Sequence, residues 1–234
     1  MTSDLLFKFF RKSLPSSLYG SISKSIFGRK KSWDRIETYE STFNFYKNQG
    51  LRFEENIVVE VGSGDQYYTA LFFLGDKAKK VILVEPKLIL DLERLENQLA
   101  QFNRFTSNNL QINQVKDKII CYRDLSEIPS NYNSTINVIC SYLVLEHFQN
   151  IESFFLNINR LLASDGQSCN VVDLSDHTYH VFAKYSFLKS FVDSRNLYHL
   201  RYSERLFRLL NDPKCFMNRI LLPDYLFLAK NMIY

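Results

Sequence analysis

Only four cysteines, Cys121, Cys140, Cys169 and Cys215, occur in 234 residues, and they stand far apart. With no C-x-x-C pair among them, neither a zinc cluster nor a disulfide framework is indicated. Cys121, Cys140 and Cys169 fall in or beside predicted strands, as small buried apolar groups do in a reducing compartment. No apolar run nears the roughly 18 residues needed to span a bilayer, and the N-terminus lacks the long apolar stretch of a secretory signal. These absences predict a cytoplasmic protein. Seven glycines and five prolines are too few for a fibrous or disordered chain.

What is present is an ordinary globular balance, 46% hydrophobic and 23% charged, in a length that suits one α/β domain with a full core. The 20 Phe and 14 Tyr are many. Rings in that number either line a site for flat organic groups or fill the core, and the core is the preferred reading. Charge is uneven. Residues 1–32 carry Lys8, Arg11, Lys12, Lys24, Arg29, Lys30 and Lys31 against Asp4 alone, so the rest of the chain is slightly acidic. Mixed with Leu5, Leu6, Phe7, Phe9 and Phe10, this segment reads either as a weak membrane-surface or targeting segment or as a basic cap packed over the domain. The expected organisation is a cap over 1–33 and a domain over 34–234.

Ile36, Tyr39, Phe43 and Tyr46 space as one face of a helix over 34–48, closed near Gly50. A buried-strand run, 57–61, ends in Glu60-Val-Gly-Ser-Gly-Asp65. A helix over 66–74 and a strand over 81–84 follow, and that strand leads into Glu85. Leu88, Leu92, Leu95, Leu99 and Phe102 predict a helix over 88–104. Strands are expected at 118–122 and 136–140, a helix at 150–163 with a stop at Ser164-Asp-Gly166, and a fifth strand at 168–173. Such alternation predicts a parallel sheet with helices on both faces. Residues 178–234 show helical spacing and no convincing strand.

The glycine turn admits three readings. A dinucleotide site wants a third glycine where Tyr67 stands, and that side chain blocks close approach to a pyrophosphate. A P-loop is excluded because no G-K-[ST] follows. The third reading needs no phosphate cradle: Glu60-x-Gly62-x-Gly64, with Glu85 at the end of strand two, resembles the first motif of class I S-adenosylmethionine-dependent methyltransferases. The likeness continues through Arg123-Asp-Leu125 after strand three and Ser141-Tyr-Leu-Val-Leu-Glu-His147 after strand four. It goes on in Arg160-Leu-Leu-x-x-x-Gly166, and then in Val172-Asp-Leu-Ser-Asp-His177, Phe187-Leu-Lys and Asn218-Arg219. It covers about 34–225.

The resemblance implies a Rossmann-like sheet of order 3-2-1-4-5 and S-adenosyl-L-methionine as cofactor. It assigns cofactor binding to Glu60, Gly62, Ser63, Gly64, Asp65, Glu85, Asp124, Leu125 and Ser141, with Glu85 gripping a ribose diol. It also implies two closing strands after the last helix, for which the chain offers no segment, so strand five is expected as an edge. Asn137 stands where the family often has an acid.

The reaction implied is methyl transfer to a small molecule, with a hydroxyl as the expected acceptor. His147 and His177, the latter beside Asp176, are the candidate bases because histidine titrates in the useful range. No metal is expected, since Asp176, His177 and His180 lack a partner at sensible spacing. The competing reading is a catalytically inactive methyltransferase-like binding module. Nucleic-acid methylation is disfavoured because no N-P-P-[FYW] segment follows strand four. The acceptor and the oligomeric state are not legible.

Overall fold

The computed structural model describes residues 35–175, 200, 202–211 and 216–232. The expectations for 1–33, for Asp176, His177 and His180, for most of the stretch after 178 and for Cys215 lie outside the described residues. The described chain contains α1 (Ile36–Asn48), β1 (Ile57–Val61), α2 (Tyr68–Gly75), β2 (Lys80–Val84), α3 (Leu92–Thr106), α4 (Ile112–Val115) and β3 (Ile119–Tyr122). After these come β4 (Ile136–Tyr142), α5 (Ile151–Leu161), β5 (Leu162–Val171), α6 (Glu204–Leu210) and α7 (Leu222–Met232). Two short 3-10 turns, Leu125–Glu127 and Ser130–Tyr132, bridge β3 and β4, and a third, Leu145–His147, follows β4.

The chain divides into two units. One comprises Lys31–Leu145, Asn150–Val172 and Phe227–Tyr234. Its five strands are all parallel in the order β3-β2-β1-β4-β5, the order the motifs imply. Alternate strand residues point to opposite faces. Val58, Val81, Leu83, Val138 and Cys140 join one buried cluster with Phe43 and Tyr46 of α1, Phe72 and Phe73 of α2, and Leu95, Leu99 and Phe102 of α3. Many of the described rings are core: Phe43, Phe53 and Phe73 lie with centroids 4.6–6.0 Å apart, and such pairs add to simple burial. On α5, Phe154, Phe155, Ile158 and Leu161 are buried, and the helix packs against β5 and the Leu125–Glu127 turn.

Helix boundaries follow their caps. Asp91 accepts the N–H of Arg94, so α3 starts at Leu92, later than Leu88. Leu88 is buried from the loop instead. α5 is capped by Asn150, whose side chain accepts from Ser153. β5 begins at Leu162, earlier than expected. Leu162 faces Ile136 and Gln167 faces Val138, so residues 163–166 form a bulge in place of the helix stop. Gly166 is needed there, because a Cβ would lie 2.9 Å from the Ile136 carbonyl oxygen. The Arg160 guanidinium donates to the carbonyls of Leu125 (2.9 Å) and Ile128 (3.2 Å) and to Asn133 Oδ1 (2.7 Å), which fixes the linker between β3 and β4. Asn137 has a structural role: its Oδ1 accepts the N–H of Ile57 at the start of β1.

The other unit comprises Met1–Lys30, Glu146–Gln149 and Asp173–Leu226. In its described part α6 is capped by Ser203, which accepts from Leu206. The Arg219 guanidinium lies 5.0 Å from the Phe207 ring centre and donates to the Leu200 carbonyl. No helix among the described residues is long and apolar enough to cross a membrane.

Candidate cofactor site

Parallel strands open their carboxyl ends on one rim, and the rim of the sheet unit is built by register. Val61 pairs with Val84, and Val84 with Tyr122. Beyond these pairs the ladder continues for one step: Gly62 N–H donates to Val84 O (2.8 Å), and Glu85 N–H donates to Tyr122 O (3.0 Å). Gly62, Glu85 and Arg123 therefore sit on adjacent strand ends, at the place where such sheets bind ligands.

The glycine turn needs its glycines for different reasons. Gly62 has φ +81° and Gly64 has φ +69°, both left-handed. A Cβ on Gly62 would fall inside the Val144 side chain, so this glycine serves packing between β1 and the segment after β4. At Gly64 a Cβ would meet none of the described residues within 4 Å, so its backbone is open on that side among them.

Beneath the turn lies a buried polar group. Glu60 is 4% exposed. Burial raises its carboxyl from 4.5 to about 8, and a bond from the Thr69 hydroxyl opposes that only in part. Among the described residues its Oε2 has no hydrogen-bond partner, and neither does the buried Ser63 Oγ three residues later. Tyr46 and Cys140 face Glu60, and burial pushes both of their pKa values up. Two orphaned buried polar atoms at a glycine turn are costly unless a ligand or water completes them. A polar ligand with an amine or hydroxyl donor fits them, as the amino-acid end of S-adenosylmethionine would.

The remaining candidates are placed as follows. Glu85 is half-buried, with Oε1 3.4 Å from the N–H of Lys87. Asp65 is exposed and accepts from Gln66 Nε2. Asp124 is exposed and caps its turn by accepting from Ser126 N–H and Oγ–H. Leu125 is buried beside it. Ser141 is fully buried, and its hydroxyl donates to Asn170 Oδ1 on β5 (2.8 Å). His147 belongs to the other unit and is described below. No group of His, Cys, Asp and Glu among the described residues is arranged to hold a metal.

Sequence reasoning missed the residues that brace the rim. Tyr67 does not stand in the turn as an obstacle. It is fully buried, its hydroxyl donates to Ile89 O and accepts from Asp91 N–H, each at 2.8 Å, and its own N–H donates to Gln98 Oε1 (2.7 Å). The loop after Glu85 is thereby tied to the start of α2. Gln98 was detectable, being a lone amide three residues after Leu95 on the apolar face of α3. Leu143, just past β4, holds φ +57° with its N–H on Val171 O, a conformation costly for a leucine.

The chain belongs to the methyltransferase-domain family, whose profile matches residues 35–211. No curated protein sequence matches it. Among solved structures it is similar to an S-adenosylmethionine-dependent methyltransferase from Mesorhizobium loti (12% identity, 53% of this chain and 49% of that one, TM-score 0.36). It is also similar to the YcgJ protein from Bacillus subtilis (13%, 83% and 66%, TM-score 0.46). A third is geranyl diphosphate C-methyltransferase from Streptomyces coelicolor A3(2) (10%, 55% and 43%, TM-score 0.40). The chain spans about half the length of the first solved structures it matches.

Proposed function

We propose that this protein transfers a methyl group from S-adenosylmethionine to a small-molecule hydroxyl. The observation that carries the reading is the bond from Gly62 N–H to Val84 O, which sets the glycine turn, with its buried Ser63, directly beside Glu85 and above the buried Glu60. When bound, S-adenosylmethionine supplies an electrophilic methyl on a sulfonium, a leaving group that needs no acid. The protein's part is then to hold, orient and exclude water, which supplies about 7–11 kcal/mol in well-aligned reactions. Glu85 accepts hydrogen bonds from the ribose hydroxyls. The main chain at Gly62–Gly64, Ser63 Oγ and Glu60 hold the amino-acid end. Asp65, Asp124 and Leu125 border the rest of the nucleoside, and Ser141 supports the floor through β5. On sequence grounds His147, five residues past the end of β4, is one candidate base for the acceptor's proton. His177 with Asp176 is the second candidate base on sequence grounds.

Titration calorimetry with S-adenosylhomocysteine tests this. The expected result is micromolar binding that weakens about 100-fold in Glu85→Ala, the loss of two charge-assisted bonds worth about 3 kcal/mol. Absence of binding by the folded wild-type protein would overturn the reading in favour of a domain that keeps the fold without the chemistry.

A further inference from the structure

His147 Nδ1 lies 2.6 Å from the carbonyl oxygen of Phe216. A carbonyl only accepts, so Nδ1 carries the proton, and the neutral ring keeps its lone pair on Nε2. A free histidine side chain prefers the opposite tautomer, so the protein has to impose this one.

One residue brackets the histidine. Asn218 N–H donates to the carbonyl of Glu146 (2.7 Å), and its Nδ2 donates to the carbonyl of Phe148 (3.3 Å). Its Oδ1 accepts from Ile220 N–H (3.2 Å) and from the Tyr225 hydroxyl (3.2 Å). Residues 216–218 thus run beside 146–148, bonded to the residues on both sides of His147 and to its ring. Tyr225 is buried, and burial raises its pKa, so its hydroxyl stays a donor. Among the described residues the other ionisable groups of this cluster are Glu146, buried and pushed up to about 7, and Asp173, whose charge adds to that rise.

We infer that Asn218 is a positioning residue for His147: its bonds to the main chain on either side hold the ring on Phe216 and leave Nε2 as the basic nitrogen. The use of Nε2 as a base rests on the proposed function, whereas the tautomer does not.

The test is long-range proton–nitrogen correlation NMR of the 15N-labelled full chain at pH 8, with the His147 signals assigned by His147→Gln. Wild type is expected to show a protonated Nδ1. Asn218→Ala is expected to move the majority of rings to the Nε2–H form, and to lower kcat at least tenfold with KM for the donor unchanged. Asn218→Asp keeps the Ile220 and Tyr225 acceptor and loses the Phe148 bond, so it falls between the two. Tyr225→Phe removes a single partner and shifts the tautomer least; these two variants decide the matter if the alanine variant does not fold. A wild-type ring protonated on Nε2, or an unchanged ring in the Asn218 variants, overturns the inference. A shifted tautomer with undiminished transfer in both Asn218→Ala and His147→Gln upholds the positioning role and overturns the base.

Discussion

The phenolic oxygen of Tyr67 accepts the N–H of Asp91 at 2.8 Å while donating its proton to Ile89. This one hydroxyl holds the loop that begins at Glu85 against the residue that immediately precedes α2, the helix that follows the glycine turn. The site's acid and its glycines therefore keep their spacing without help from a ligand.

Tyr67→Phe keeps the ring and removes the bridge. The expected cost is about 1–2 kcal/mol in stability, by denaturant titration. Affinity for S-adenosylhomocysteine should fall about tenfold by calorimetry, because the loop carrying Glu85 then has to be ordered on binding. Unchanged affinity would show that the loop is held by other contacts.

Glu60 makes the ligand-free protein sensitive to alkali. Its folded pKa of about 8 lies above the ordinary 4.5, so between these values the folded state keeps a proton that the unfolded state has lost. Stability from this group is full below about pH 4.5, declines as pH rises, and stops declining above about pH 8. Glu60→Gln should remove that slope and be more stable than wild type at pH 8.5 by on the order of 3 kcal/mol. Melting temperatures of both proteins across pH 6–9 check this; parallel curves would show that Glu60 is not buried as a carboxylic acid.

The two glycines should separate stability from binding. Gly62→Ala drives a methyl into Val144 at a positive φ, for an expected loss of about 2–4 kcal/mol. Val144→Ala should partly restore it. Gly64→Ala meets no neighbour among the described residues, so it should cost only about 1 kcal/mol of backbone strain, while its methyl enters the space beside the turn and lowers S-adenosylhomocysteine affinity at least tenfold. Denaturation and calorimetry on the same samples give both numbers.

Arg160→Ala should cost about 2 kcal/mol by denaturant titration, since it leaves the Leu125 and Ile128 carbonyls without their charged donor. Arg160→Lys should recover less than half, because a single ammonium cannot reproduce the fork.

The strands were legible because their residues are apolar on both faces, as a sheet covered on both sides requires. The placement of Glu60, Gly62, Gly64 and Glu85 at adjoining strand ends was legible because their spacing repeats the strand–turn–helix–strand unit. What could not be read were bonds between residues distant in sequence. Nothing around Asn137 says that it reaches Ile57, and nothing near His147 announces Phe216 or Asn218 some 70 residues on. Tyr67 was misjudged because the glycine pattern defines what a side chain there would obstruct, whereas packing decides where it goes. Leu88 belonged to the apolar series of α3 by spacing, yet the Asp91 cap overrode periodicity.

Cys140 sits at the centre of β4, fully buried, in register with the half-buried Cys169 on the outer strand. Burial holds its thiol far from the reactive thiolate. An alkylating reagent can therefore modify Cys140 only when the middle of the sheet opens, whereas Cys121 and Cys169 lie nearer the solvent. The modification rate at this position is a built-in clock for breathing of the central strands, readable by mass spectrometry with no denaturant added.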